Sequence, residues 1–214
     1  MNSIYEKNNV AHISGKVSEE PKFSHLILGE GFYDLKIEVP RLSMECDTIP
    51  VTISERLIDN IKVGDDLSID GEFRSYNKLD NGKSKLILTL FAKELTDFDS
   101  EKNSNSIELT GYICKEPIYR TTPFGREICD CLIAVNRAYN KSDYIPCIAW
   151  GRNARFVKSL GVGEKINLTG RIQSRKYQKR LDEDKVEDRV AYEISISSVS
   201  LAFGDDVVCS NGEY

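Results

Sequence analysis

Apolar and polar residues alternate at a spacing of two along much of the chain, the pattern of β-strands that bury one face. One stretch of the second half departs from it. There Ala154, Val157 and Leu160 recur at a spacing of three, which predicts a short helix over 153–160. The alternating stretches around this helix predict five strands, over 107–113, 128–135, 144–150, 165–175 and 190–203.

The two halves of the chain repeat each other. Three pairs of landmarks share a single offset of 96 residues: Gly15 and Gly111, Pro21 and Pro117, and Pro50 and Pro146. Because chance does not give three landmarks one offset, we predict two small domains rather than one large one. The predicted ranges are 8–96 for the first domain, 97–104 for a polar linker, 105–203 for the second domain and 204–214 for a short acidic C-terminal end.

Five strands with one helix after the third form the order of the OB fold, a small Greek-key barrel whose face binds oligonucleotides. In the first half the counterpart of the helix is 55–61, where Leu57, Ile58 and Ile61 are apolar. We therefore predict a mainly β protein of two tandem OB barrels, each with one short helix.

Strand phase predicts which side chains leave the second barrel. In its fourth strand Ile166, Leu168 and Ile172 share one face, which we assign to the core. Aromatic planes stack unpaired bases and cations contact phosphates, so aromatic and basic residues on the other face favour single-stranded nucleic acid. Either feature alone is more typical of cross-strand packing or of a solvated surface. The side chains predicted to point outward on strands three and four are Tyr144, Trp150, Lys165, Arg171, Gln173, Arg175 and Tyr177.

Several short motifs of the second half occur in the order and spacing of a known family. They are IELTG at 107–111, EPIYRTTPFG at 116–125, LIAVNR at 132–137, IAWGR at 148–152 and GRIQSRKY at 170–177. On these motifs the second half resembles the bacterial single-stranded DNA-binding proteins. The resemblance implies that single-stranded DNA is the partner and that the protein protects single strands during replication, recombination or repair.

The resemblance also implies roles for individual residues. Bases would stack on four aromatic side chains, Tyr139, Tyr144, Trp150 and Tyr177. Phosphates would contact Arg120, Arg152, Arg175 and Lys176, and the predicted site also includes Arg137 from the 132–137 motif and Arg171 and Gln173 from strand phase. Family members with two barrels form dimers, which leads us to expect a homodimer with four barrels.

The first half lacks most of these groups. The positions of Tyr139, Tyr144 and Trp150 are taken by Ser43, Thr48 and Ser54, and those of Lys165, Thr169 and Arg171 by Asp66, Asp70 and Glu72. Because carboxylates repel phosphates, we predict that the first barrel binds single strands poorly on that face. It would instead supply dimer contacts, a partner surface or a spacer, although Tyr76 and the lysines near the hairpin at Asn81 and Gly82 could touch DNA from the side.

The charge of the chain agrees with this division. The formal net charge is −5, which by itself speaks against a partner rich in phosphate. Residues 1–101 carry 12 Lys and Arg against 19 Asp and Glu, whereas residues 102–214 carry 17 against 15. The second half is therefore the one expected to hold the strand.

Other classes of function have weaker support in the sequence. The acidic cluster at 182–188 would suit a metal-dependent nuclease, but a solvated turn between strands explains it as well. A primosome- or recombination-associated interaction protein with weak DNA contact stays open. We expect no enzyme activity, no catalytic residue, no cofactor and no bound metal.

The sequence also bears on the cellular compartment. No apolar stretch is long enough to cross a bilayer, and the first residues lack the pattern of a secretory signal. The six cysteines contain no CxxC pair, and Cys129 and Cys131 are spaced like small buried residues on one face of a strand. We expect reduced core cysteines in a cytoplasmic, nucleoid-associated protein with no membrane partner.

Overall fold

The first five strands form one closed barrel. The structure is a computed structural model that describes residues 7–41, 43, 45–80, 82–98, 104–182 and 185–202. The strands pair in the order β2, β3, β5, β4, β1, and β1 returns to β2 to close the barrel. Their bounds are β1 Asn9–Ile27, β2 Glu30–Pro40, β3 Cys46–Ser54, β4 Asp66–Asp80 and β5 Lys83–Thr96.

The second barrel closes in the same way through the order β6, β10, β11, β9, β8, and β8 also pairs with β6. A short strand, β7, adds to the outside of β8 and was not predicted. The fourth strand of this barrel, β10, runs past its predicted end, and the fifth, β11, begins before its predicted start, so the two form a long hairpin. The elements are β6 Asn105–Ile113, β7 Ile118–Thr121, β8 Glu127–Arg137, β9 Lys141–Trp150, α1 Arg152–Lys158, β10 Lys165–Asp182 and β11 Lys185–Leu201, with a 3-10 turn over Ala138–Asn140.

Both barrels close through one short parallel pairing. In the second barrel, β9 and β11 pair in parallel at Cys147 with Ile194 and at Ile148 with Ser195. In the first barrel the corresponding pair is β3 with β5. The other strand pairs are antiparallel, as a Greek-key barrel requires. The predicted pair of OB folds is confirmed.

The helix prediction is confirmed in one barrel only. In the second barrel α1 covers Arg152–Lys158. In the first barrel the predicted helix over 55–61 is wrong, because the segment consists of separate turns. The N–H of Leu57 bonds to the carbonyl of Ser54, three residues back, and Asn60 has a φ of 65°. A left-handed residue cannot continue a right-handed helix, so the apolar spacing there serves a packed loop.

The core follows the predicted strand phase. Ile166, Leu168 and Ile172 are buried, and so are Cys129 and Cys131 on β8. Strand β6 alternates between buried and more exposed positions along its whole length. The period-two pattern therefore gave the inward face of the second barrel correctly.

Glycines recur at matched positions because two backbones approach closely there. A Cβ on Gly71 would overlap the carbonyl oxygen of Phe91, and a Cβ on Gly170 would overlap that of Ser195. In both cases the neighbour is backbone on the adjacent strand, which cannot turn away as a side chain could. The repeat preserves glycine at these positions for close packing rather than for an unusual φ.

The two barrels share one continuous sheet. Strand β1 pairs antiparallel with β6, from Asn9 opposite Leu109 to Ile13 opposite Asn105. The pairing is centred on Ala11 opposite Ile107, two positions that the 96-residue offset relates. An antiparallel pair of equivalent strands is the arrangement of a twofold dimer, here made within one chain.

Side chains repeat this twofold relation across the boundary. Asp47 of the first barrel accepts the backbone N–H of Ser174 in the second, at 2.6 Å. Asp143 of the second barrel accepts the N–H of Ser75 in the first, at 2.7 Å. Both contacts join equivalent residues, so the duplication of sequence produces a self-complementary interface between the barrels.

Parts of the predicted organisation lie outside the described residues. These are residues 99–103 of the predicted linker, the end of the chain from 203 to 214, and Asn81, Glu183 and Asp184. Neither helical segment in the described part of the chain has the length or the apolar character to cross a membrane.

Candidate nucleic-acid interface

Two of the four predicted stacking residues lie on β9. Tyr144 and Trp150 are exposed on its outer face, while Ile145, Cys147 and Ala149 between them are buried. Strand register extends this face sideways, since directly paired residues share a face. Trp150 pairs with Ile128 of β8, which pairs with Arg120 of β7. Arg120 thus lies two strands away from Trp150 on the same outer face.

Tyr177 lies on β10, where the long hairpin leaves the barrel. Its ring is exposed, and the guanidinium of Arg175 lies 5.8 Å from the ring centroid. Arg175 also approaches Glu193 of β11, with Nε and Oε1 3.7 Å apart. The hairpin therefore offers an aromatic plane with a cation beside it.

The fourth aromatic, Tyr139, occupies the turn between β8 and β9. Tyr139 and Asn140 both have positive φ, of 61° and 54°. This backbone turns the ring away from the barrel, and Tyr139 is 93% exposed. All four predicted stacking residues keep between 36% and 93% of their surface exposed, which packing within the barrel does not explain.

The predicted cations differ in how firmly carboxylates hold them. Four are paired: Arg120 with Asp130 at 2.8 Å, Arg137 with Asp143 at 3.3 Å, Arg171 with Asp47 at 3.6 Å and Arg175 with Glu193 at 3.7 Å. Arg152 and Lys176 are exposed, and the described residues give neither a carboxylate partner. A phosphate would therefore meet Arg152 and Lys176 with less competition than the four paired arginines.

The prediction that Gln173 points into solvent is wrong. The side chain is 9% exposed, and its Nε2 donates to Oε1 of Glu193 at 2.8 Å. The two residues are directly opposite each other on β10 and β11. Strand phase alone places Gln173 on the outward face, but its partner on the next strand binds and covers it. Such cover depends on residues distant in sequence.

One exposed aromatic was missed as a site residue. Phe124 is exposed at the tip of the β7–β8 hairpin, next to Gly125, which has a φ of 75°. The Pro-Phe-Gly run at 123–125 is a turn signal, and a large apolar residue at a turn is unusual enough to have indicated this position.

The carboxylates of the first barrel are present as predicted, but cations of the same barrel hold them. Asp66 pairs with Lys16 at 2.8 Å, and Glu72 binds both Arg74 and Lys93. Burial raises the pKa of the Glu72 carboxyl, but the hydrogen bonds from Lys93 and Arg74 outweigh burial and hold it below the ordinary value. These carboxylates thus repel phosphates less than the sequence alone indicated.

Metal binding has no visible basis in the described part of the chain, where no group of three His, Cys, Asp or Glu side chains is arranged to hold an ion. Of the acidic cluster at 182–188, residues 183 and 184 lie outside the described residues.

A family model agrees with the second barrel throughout. The model described as "Single-strand binding protein family" matches residues 104–202, a range that includes every strand from β6 to β11. Residues 104–202 are 99 of the 214 residues, so the similarity to the single-strand binding protein family covers the second barrel of this chain. The resemblance inferred from the short motifs is confirmed.

Curated members of the single-strand binding protein family align with part of the chain. "Single-stranded DNA-binding protein 1" of Staphylococcus aureus (strain COL) is 36% identical over 81 residues, 35% of this chain and 48% of that protein. "Single-stranded DNA-binding protein A" of Bacillus subtilis (strain 168) is 33% identical over 81 residues, 35% of this chain and 47% of its own. The chain spans about half the length of these relatives.

Solved structures extend the likeness to both barrels. The wild-type single-stranded DNA binding protein from Thermus aquaticus superimposes with a TM-score of 0.70 over 91% of this chain and 93% of its own, at 15% identity. At that identity the likeness establishes the fold alone. The N-terminal domain of PriB protein from Thermoanaerobacter tencongensis is 43% identical over 42% of this chain and 96% of its own, but its TM-score of 0.37 is too low to support a structural argument.

Proposed function

We propose that the second barrel binds single-stranded DNA with little sequence preference, and that the protein protects single strands in replication, recombination or repair. The observation that carries the proposal is the exposure of four aromatic side chains around one barrel. The match of the second barrel to the single-strand binding protein family model supports it, as do the names of the curated relatives.

Stacking explains why the partner is a single strand. Each base stacked on an aromatic side chain contributes about 1 to 3 kcal/mol, and every base has a face that can stack. A duplex hides those faces in its own stack, so exposed aromatic rings gain little from it. Tyr144 and Trp150 on β9, with Tyr139 in the turn between β8 and β9 and Tyr177 on the long hairpin, would hold unpaired bases.

Cations between the aromatic residues would hold the phosphates. Arg152 and Lys176 are the most available, because Arg120, Arg171 and Arg175 would have to leave carboxylate partners. Each phosphate contact releases a counterion, so affinity is expected to fall as salt rises. Binding alone accounts for these features, and the proposed role involves no catalysis.

Addition of oligo(dT) is expected to quench the fluorescence of Trp150, because this is the single tryptophan of the sequence and it lies on the proposed face. Titration over a salt series should give a slope of log affinity against log salt of about −0.7 for each phosphate engaged. A duplex of the same length serves as the control and should cause little quenching. Unchanged fluorescence at micromolar oligo(dT) in low salt would count against the proposal.

The proposed assembly is a homodimer in the cytoplasm that brings four barrels together. The support is the twofold relation of the two barrels within one chain, which presents half of such an arrangement already formed. Sedimentation equilibrium is expected to give a mass near twice the 24.2 kDa of the chain. A mass near that of one chain over the micromolar range would exclude the homodimer.

A further inference from the structure

A cleft of about 900 Å³ separates the two barrels on the side where the turn of Tyr139 lies. The first barrel contributes Arg74 and Lys93 to its lining, and the second contributes Arg137, Lys141 and Lys165. Among the described lining residues one carboxylate, Glu72, opposes these five cations. The cleft is thus electropositive although the first half of the chain has a net negative charge.

The cleft is continuous with the proposed binding face. Tyr139 lines it and is also one of the four exposed aromatic residues. A base stacked on Tyr139 would bring the next phosphates of its strand to the mouth of the cleft, because successive phosphates of an extended single strand lie only a few ångströms apart. A strand that leaves the second barrel at Tyr139 therefore meets cations of both barrels.

The pairing around Glu72 allows Lys93 to exchange partners. Arg74 donates to Oε2 of Glu72 from both Nε and Nη2, at 3.0 and 2.7 Å, and its guanidinium lies 3.8 Å from the ring centroid of Phe91. Lys93 binds the other oxygen, and its side chain is 53% exposed. If Lys93 turns to a phosphate, Glu72 keeps two hydrogen bonds and is not left unpaired.

The side of the interface that the repeat relates to this cleft has a different charge. There Lys141 is replaced by Glu45 and Lys165 by Asp66. Arg41, the counterpart of Arg137, is bound to Asp47 and to the carbonyl of Ser174. Arg137 is likewise held by Asp143, so the difference between the two sides is that two lysines of this cleft are replaced by carboxylates on the related side.

We propose that this cleft is a second segment of the strand-binding site, in which the sugar-phosphate backbone of a single strand passing Tyr139 contacts Lys93 of the first barrel. The inference rests on the proposed function of the second barrel. It assigns the first barrel a direct share in holding DNA, on a different side from the face that lost its aromatic residues. Strands long enough to reach past Tyr139 use the cleft, and short strands do not.

The test compares Lys93→Gln with the unchanged full-length chain on two labelled oligonucleotides, by fluorescence anisotropy over a salt series. An oligo(dT) of about 8 nucleotides lies within what one OB fold covers, and one of about 24 exceeds it. On the longer strand Lys93→Gln is expected to reduce the salt slope by about 0.7. If the two affinities converge near 1 M salt, this slope makes binding about fivefold weaker at 0.1 M salt. Binding of the shorter strand should be unchanged.

Lys22→Gln is the matched control. Lys22 is an exposed lysine of the same barrel that shares a carboxylate, Glu19, with a second cation, Lys36, just as Lys93 shares Glu72 with Arg74. It lies outside the cleft, so its removal should leave both strands bound as before. Equal losses of affinity in Lys22→Gln and Lys93→Gln would show a general effect of charge and would overturn the proposed role of the cleft.

The remaining outcomes separate the two proposals. If the unchanged chain binds both strands and Lys93→Gln binds the longer one equally well, the proposed role of the cleft is wrong and the proposed function of the second barrel stands. If the unchanged chain binds neither strand, both the proposed function and the proposed role of the cleft are wrong. A loss confined to the longer strand and to Lys93→Gln supports both.

Discussion

Replacement of Asp47 by alanine is expected to lower the free energy of unfolding by about 3 kcal/mol. Asp47 is 1% exposed, and it binds the guanidinium of Arg41 and the backbone N–H of Ser174 in the other barrel. Its loss leaves Arg41, which is largely shielded from water, with only the exposed Glu45 as a counter-charge. Removing one partner of a buried ion pair in this way is costly. Because Arg41 keeps some contact with water, the loss lies at the lower end of the range of about 3 to 5 kcal/mol.

Urea unfolding followed by circular dichroism measures this loss, and Glu45→Ala is its matched control. Glu45 also contacts Arg41, at 3.4 Å, but from an exposed position. Its removal should change stability by no more than about 0.5 kcal/mol. Equal losses in the two variants would show that Asp47 does not join the barrels as proposed.

Asp143, the repeat-related residue, should tolerate the same change better than Asp47. Burial raises the pKa of the Asp143 carboxyl, and the N–H of Ser75 and the guanidinium of Arg137 only partly oppose it. The described residues offer its Oδ2 no hydrogen-bond partner. Asp143→Ala therefore removes a carboxylate that already bears a desolvation cost, and the expected loss is smaller than for Asp47→Ala.

Replacement of Trp150 by alanine is expected to weaken binding of oligo(dT) by about 1 to 3 kcal/mol, which is about 5- to 150-fold in the dissociation constant. The ring is exposed on the outer face of β9, so its removal takes away a stacking plane without opening the core. Because the variant lacks the intrinsic fluorophore, the measurement is fluorescence anisotropy of a labelled oligonucleotide.

Phe23→Ala provides the comparison for this prediction. Phe23 is an exposed aromatic residue of the first barrel that packs edge to face against Tyr33. The same truncation there should leave affinity within about twofold of the unchanged chain, because that face lacks the other stacking residues. If Trp150→Ala binds as tightly as Phe23→Ala, base stacking on β9 is not what holds the strand.

The parts of the fold that sequence predicted well depend on neighbours along the chain. Strand phase identified Ile166, Leu168 and Ile172 as core residues, and a spacing of three identified the helix that is now α1. The duplication predicted two equivalent barrels. These signals are read within one strand, one helix or one repeat, where the geometry of the backbone relates spacing directly to direction.

The errors arose where something other than the spacing of residues within one element decides the outcome. Gln173 has the phase of an outward residue, yet Glu193 on the next strand binds and covers it. The helix predicted over 55–61 has suitable apolar residues, yet Asn60 adopts a left-handed conformation that ends any helix there. No role was predicted for Lys93, because nothing along β5 indicates that a cleft between the barrels lies in front of this residue.

The sequence by itself determined the two barrels and the order of their strands, since periodicity and repetition are read directly along a chain. The four aromatic residues of the second barrel followed from the family resemblance, and strand phase also selected three of them, Tyr144, Trp150 and Tyr177. Only the tertiary structure decided which cations are paired with carboxylates. It also decided which side of the interface between the barrels is open and positively charged. Those properties depend on distances between residues such as Asp47 and Ser174, more than 100 positions apart, and electrostatic interactions follow distance in space rather than separation along the chain.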